Sequence, residues 1–124
     1  MTKLTISVRR VRELLDDAGG RDGEWRVLVD RLWPRGIKKE RLAHDDWDKA
    51  VAPSTDLRRA FHGGDLDFDA FAEAYREELD ASGAARELLD RAKEAGVHEL
   101  VLLSDNKDDD HNHARVLQAV LESA

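Results

Sequence analysis

The sequence predicts an α/β fold: a small, mainly parallel sheet of three or four strands with helices packed on its faces. Two observations lead there. Residues Trp25 to Leu32 (WRVLVDRL) set apolar side chains at consecutive positions, as does a strand covered on both faces inside a parallel sheet. A second apolar stretch, Val97 to Leu103, is entered directly from one helical pattern and leads, through a polar loop, into another. A helix feeding a buried strand that feeds a helix is the order of a parallel crossover unit.

Each element has its own signal. Leu4, Ile6 and Val8 alternate with Thr5, Ser7 and Arg9, so residues 3–11 read as a first strand. Residues 12–24 hold Gly19, Gly20, Asp22 and Gly23 and read as a loop, with at most one helical turn before it. The second strand, Trp25 to Leu32, is stopped by Pro34 and Gly36. Ser54 or Thr55 caps a helix over DLRRAFH. After Gly63 and Gly64, Asp67 caps a helix whose Phe68, Phe71, Tyr75 and Leu79 form one apolar stripe. Ser82 is placed to cap the next helix, with Ala85, Leu88, Leu89 and Ala92 facing inward and Gly96 just past its end. The third strand is Val97 to Leu103. Ala114, Val116, Leu117, Val120 and Leu121 mark a closing helix.

The totals bound the function. The 124 residues are 41% hydrophobic and 38% charged, which fits a single domain over 1–124 with one core. The longest apolar run, Leu100 to Leu103, is far short of the roughly 20 residues of a membrane span, so no membrane partner is expected. The N-terminal MTKLTISVRR is charged and alternating rather than secretory, which makes a cytoplasmic location the default expectation. There is no cysteine, and so neither thiol chemistry nor a disulfide. The net charge of −7 argues against a general polyanion binder, but it is unevenly spread. Through Arg41 there are 11 Lys plus Arg against 7 Asp plus Glu; from Leu42 onward there are 9 against 20. That asymmetry suggests a local anion site, or simply acidic helices solvating the outside.

In open parallel sheets, ligands bind beyond the carboxyl ends of the strands. Two strands here end in polar loops, DRLWPRG (30–36) and SDNKDDDHNH (104–113). Arg31 and Arg35 offer planar guanidinium forks suited to phosphate or carboxylate. Arg31 has the alternative of pairing with Asp30 or with helix carboxylates and simply satisfying charge at the sheet edge. Asp30, near the end of a buried strand, is either paired with an arginine or serves as a general base or metal ligand. Trp33 and Pro34 read as scaffold, with Trp33 alternatively a stacking platform and the Trp33–Pro34 bond open to a cis form. Lys107 supplies a cation. Asn112 is either a helix cap or a ligand group at a helix start, where free backbone N–H groups favour anions. His113 is a candidate acid or base.

These groups define a first reading: an anionic, phosphate-bearing ligand held by Arg31, Arg35 and Lys107, oriented by Asn112, with Asp30 and His113 moving protons if there is chemistry. A second makes the domain a nucleic-acid or protein binder through Arg9, Arg10, Arg12, Lys38, Lys39 and Arg41. The net charge weighs against nucleic acid. A third makes the motif residues a purely structural network. Asp108, Asp109, Asp110, His111 and His113 tempt one towards a metal, but His-x-His at a helix start diverges, and no metal site is assigned. His44, His62 and His98 read as surface or packing residues. There is no Walker loop, no dinucleotide glycine fingerprint and no nucleophile elbow, so no cofactor is expected.

One resemblance adds to this. VLVDRLWPRG, then Trp47, Ala52 to Thr55 (APST), Leu57 to Phe61 (LRRAF), and LL…KD…HNHA…VL towards the end resemble the YeaO-like proteins, the bacterial domain-of-unknown-function 488 family. The resemblance covers Trp25 to Leu121. It implies a small α/β domain and carries no established activity. Where that pattern has a His-Asp-Pro-like turn after the LR…F helix, this chain has His62-Gly63-Gly64. Where a Tyr often follows the third strand's Leu-Leu, it has Ser104.

Overall fold

The computed structural model describes residues 4–16, 23–106 and 111–123. The alternating N-terminal segment forms β1 (Thr5–Arg10), and the apolar stretch after the glycine-rich loop forms β2 (Glu24–Leu28). A two-residue strand, β3 (Asp46–Trp47), follows, and β4 (Glu99–Ser104) comes last. All neighbours are parallel, in the order β1-β4-β2-β3. The last strand is thus inserted between the first two: Thr5 to Arg10 pair with Glu99 to Ser104, and Glu24 to Leu28 pair with Glu99 to Leu103. Only a strand with partners on both sides and cover on both faces is apolar at four consecutive positions. Leu100, Val101, Leu102 and Leu103 are accordingly all buried.

Strand alternation divides the core into two. Leu100 and Leu102, with Val27, Val29 and Ile6, face a large cluster built from the helices. These are α1 (Thr55–His62), α2 (Phe68–Ser82), α3 (Ala84–Glu94) and α4 (His113–Ser123). Val101, Leu103 and Leu28 face the opposite way, onto Val11, Leu14, Ile37 and Leu42. Among the described residues that second face carries no α-helix. It is covered by 3-10 turns at Val11–Glu13 and Lys39–Arg41 and by the chain between β2 and β3. The open edge of β1 is tended by α4, whose Gln118 side-chain amide donates to the Ile6 carbonyl at 2.8 Å.

The helix starts follow the expected chemistry. Ser54 Oγ accepts from the Leu57 N–H at 3.1 Å, and Asp67 accepts from the Ala70 N–H at 2.8 Å. Ser54 is held in turn by Glu78 of α2, which accepts from its hydroxyl at 2.6 Å and its amide at 2.9 Å. Other boundaries differ from the sequence reading. The second strand ends at Leu28 rather than Leu32. Val29 N–H still reaches the Leu103 carbonyl at 3.0 Å, but at Asp30 the side chain, not the backbone, continues the link to β4. The helix read as capped by Ser82 has Gly83 at its cap position and starts at Ala84: α2 runs through Ser82, and Gly83, at φ +71°, makes the corner. The Ser82 hydroxyl still accepts from the Ala84 N–H at 3.2 Å. The short β3 was not foreseen. The Trp33–Pro34 bond is trans.

Since Ser54 serves both as a cap and as the link to Glu78, Ser54→Ala should cost about 1–2 kcal/mol. Chemical denaturation, with the midpoint shifted and the slope unchanged, measures this.

Candidate functional site

The chain leaves β2 and β4 towards opposite faces of the sheet. After β2, residues 29–45 cross the face without helices before β3 forms. After β4, the chain enters α4, which lies on the helical face against β1. Diverging connections at adjacent strand ends open a crevice there. A pocket of 290 Å³ occupies it, lined by residues 30–35, by Ala52 and Pro53, by Arg58, Phe61, His62 and Phe71, and by Asp105, Asn106, Asn112 and His113.

Asp30 ties the two strand ends together. One of its oxygens accepts from Ser104 Oγ at 2.8 Å, and the other accepts from the Asp105 N–H at 2.8 Å. His113 Nε2 stands 3.1 Å from Asp30 Oδ1 and 3.1 Å from the Val29 carbonyl. Both are acceptors, so Nε2 carries the proton. His113 Nδ1 then accepts from the Asn106 amide at 3.3 Å, and that amide also donates to Ser104 Oγ. Burial alone would push the Asp30 carboxyl up. The hydrogen bonds from His113, the Asp105 N–H and the Ser104 hydroxyl outweigh it and leave the carboxyl below its ordinary value. Behind His113 lies the buried Tyr75, edge-on at 6.1 Å. Its hydroxyl donates to the Val51 carbonyl, and burial together with the charges of Asp30, Glu78 and Asp48 pushes its ionisation far up.

The arginines have different surroundings. Arg31 pairs with neither Asp30 nor a helix carboxylate; its Nε donates to the Pro53 carbonyl at 3.2 Å. Arg35 is exposed at the pocket rim, and its own carbonyl accepts from Arg12 at 3.2 Å. Arg12 also grips Asp105, at 2.9 Å and 3.2 Å, so it bridges the two loops. Arg58, on the first turn of α1, lines the pocket with its Nε buried and without a hydrogen-bond partner.

Of the residues singled out in the sequence, Asp30, Arg31, Arg35, Asn112 and His113 all line this one pocket. Lys107 lies outside the described residues, as do Asp108, Asp109 and Asp110. Asn112 is buried and its Oδ1 accepts from the Arg115 N–H at 3.1 Å, so it caps α4. Trp33 packs edge-on to Trp47 at 5.5 Å and donates to the Ile37 carbonyl at 2.6 Å, and Trp47 donates to the Asp30 carbonyl at 2.7 Å. Both are scaffold beneath the loop. Gly36, at φ +78°, turns that loop with open space around it. His98 packs on Gly23 and His44 on Trp33, while the exposed His62 is also a pocket residue. Arg58 was missed. The available signal was its place one turn before Phe61 and His62, on the same helix face. Among the described residues, no three potential metal ligands gather, and no helix is long and apolar enough to cross a membrane.

Fold and site define a small parallel α/β domain with an arginine-lined cleft at the carboxyl edge of its sheet. The chain belongs to the YeaO-like DUF488 family: the model described as the inactive DUF488-N3 subclade matches residues 5–124. It is 47% identical over 121 residues to the uncharacterized protein YeaO of Escherichia coli K12, covering 97% of this chain and 99% of that one. It is likewise 47% identical over 79 residues to the uncharacterized proteins Mb3100c of Mycobacterium bovis and Rv3073c of Mycobacterium tuberculosis, covering 64% of this chain and 66% of theirs. No solved structure matches the chain.

Because the Asp30 carboxyl titrates below its ordinary value of 3.8, its contribution to stability is fully present above that value. It is lost as pH falls through the lower, folded value. Asp30→Asn should therefore be less stable than the wild type at neutral pH, and the difference should narrow on acidification below about pH 4. Melting temperatures of both proteins from pH 7 to pH 2 test this; parallel curves would show that Asp30 does not contribute in this way.

Proposed function

We propose that this domain binds a small anionic, phosphate-bearing ligand in the cleft at the carboxyl edge of the sheet. One observation carries the reading: Arg31, Arg35 and Arg58 line a single pocket and have no carboxylate partner among the described residues. A guanidinium in a partly enclosed site is costly unless paired, and an anion is what would pair it. Arg31 and Arg35 are then the ligand's contacts from the β2 loop. Asn112 steadies the α4 start beside them, and Lys107, in the segment between β4 and α4, is a further candidate cation.

Binding is favoured over turnover. Both ring nitrogens of His113 and both oxygens of Asp30 are already engaged with protein groups, so neither is poised to exchange a proton with a ligand. The description of the matching family model as inactive points the same way. A role for His113 or Asp30 in proton transfer would require that network to open on binding. The alternative of a nucleic-acid binder on the basic first third is weakened by its pairings: Arg12 is spent on Asp105 and Arg41 on Asp16.

A thermal-shift series with inorganic phosphate, sugar phosphates, mononucleotides and short single-stranded DNA tests the reading. A phosphate-bearing ligand at about 100 times its dissociation constant should stabilise the protein by about 2.7 kcal/mol, a rise of several degrees. Arg35→Ala should keep the unliganded melting temperature and lose that rise. A large fall in melting temperature for Arg35→Ala, with no response to any anion, would instead make the loop a structural element.

A further inference from the structure

Resting on that reading, we infer that the ligand carries a terminal phosphomonoester, a dianion, on a compact group with an apolar or aromatic face. The charge balance of the pocket lining is the basis. Among the described residues, Arg31, Arg35 and Arg58 bring three positive charges with no carboxylate set against them. Two acids line the same pocket. Asp105 is neutralised by Arg12 at 2.9 Å. Asp30 keeps its charge, because its partners are a hydroxyl, a backbone N–H and an imidazole whose other nitrogen accepts from Asn106. Among the described residues, the lining therefore holds an excess of two positive charges.

A phosphomonoester carries a charge near −2 at neutral pH and presents three acceptor oxygens. A carboxylate, a sulfate ester or a phosphodiester carries one negative charge and would leave a guanidinium uncompensated in the cleft. The same count excludes an internal phosphate of a nucleic acid as the natural occupant. Size narrows the remainder. At 290 Å³ the pocket is at the lower end of small-molecule sites, room for a phosphorylated ring but not for a dinucleotide. Its apolar wall is formed by Ala52, Pro53 and the Phe61 and Phe71 rings, stacked at 4.5 Å. An apolar part of the ligand finds apolar surface there.

The decisive comparison uses two isosteric pairs, phenyl phosphate with phenyl sulfate and methyl phosphate with methyl sulfate. Calorimetry at pH 8 keeps the phosphomonoesters fully dianionic, their second ionisation lying near pH 6. Phenyl phosphate should bind roughly tenfold or more tightly than phenyl sulfate, the extra charge facing a charge-assisted fork, and more tightly than methyl phosphate. Arg35→Gln, at an exposed position, should bring the phosphate-to-sulfate ratio towards one, as should Arg58→Gln if circular dichroism shows it folded. Equal affinity for phosphate and sulfate esters would overturn the dianion inference and leave the anion-binding reading standing. So would a ratio unchanged in both folded variants. If none of the four esters binds and the phosphate series above is also silent, the anion-binding reading falls, and this inference with it.

Discussion

A carboxylate placed where a parallel strand runs out of the sheet must find donors or lose its charge, and the way Asp30 finds them governs the rest of the site. Its donors come from across the sheet: the hydroxyl and amide that follow β4, and an imidazole from the first residue of α4. All are supplied without a fixed cation. That choice has a consequence for the neighbouring arginines. Had Arg31 paired with Asp30, its guanidinium fork would be committed there. Because neutral donors satisfy the carboxylate, Arg31 turns to a backbone carbonyl and keeps its charge available.

The loop that follows is firm despite its polarity. Two indole N–H groups hold it from below, Trp47 on the Asp30 carbonyl and Trp33 on the Ile37 carbonyl. Arg12 reaches over from the end of β1 to hold the Arg35 carbonyl and the Asp105 carboxylate. The Arg35 backbone is thus restrained while its side chain stays exposed, which is the arrangement that lowers the entropic cost of gripping a ligand.

Much of this was legible from residue patterns. Alternation in Leu4, Ile6 and Val8 and the run Leu100 to Leu103 identified the strands, because burial on one face or two leaves different periodicities. Asp67 was readable as a cap because capping is a local, short-range matter. What was not legible depended on contacts remote in sequence. β3 is two residues long and exists only because Asp46 and Trp47 meet Val27 and Leu28. Asp30 had several plausible partners, and nothing local favours Ser104 and the Asp105 amide over a nearby arginine. Arg58 looked like one of many charged helix residues. Only the packing of α1 against α2, beside the loop that follows β2, turns it into the cleft. The end of the second strand was misplaced by four residues because a side chain of Asp30 can carry on the pairing that the backbone abandons.

The position of β4 also has a bearing on how the molecule comes into being. β1 and β2 do not touch each other; each pairs with a strand that begins at Glu99. Until that late segment has emerged and inserted, the two early strands have no partner in common, and the apolar faces meant for them stay open. Contacts between such distant parts of a chain are formed slowly and against a loop-closure entropy. On the ribosome, a nascent chain of this family would therefore hold α1, α2 and α3 as loosely gathered helices, with the sheet, and the cleft at its edge, closing last and nearly all at once.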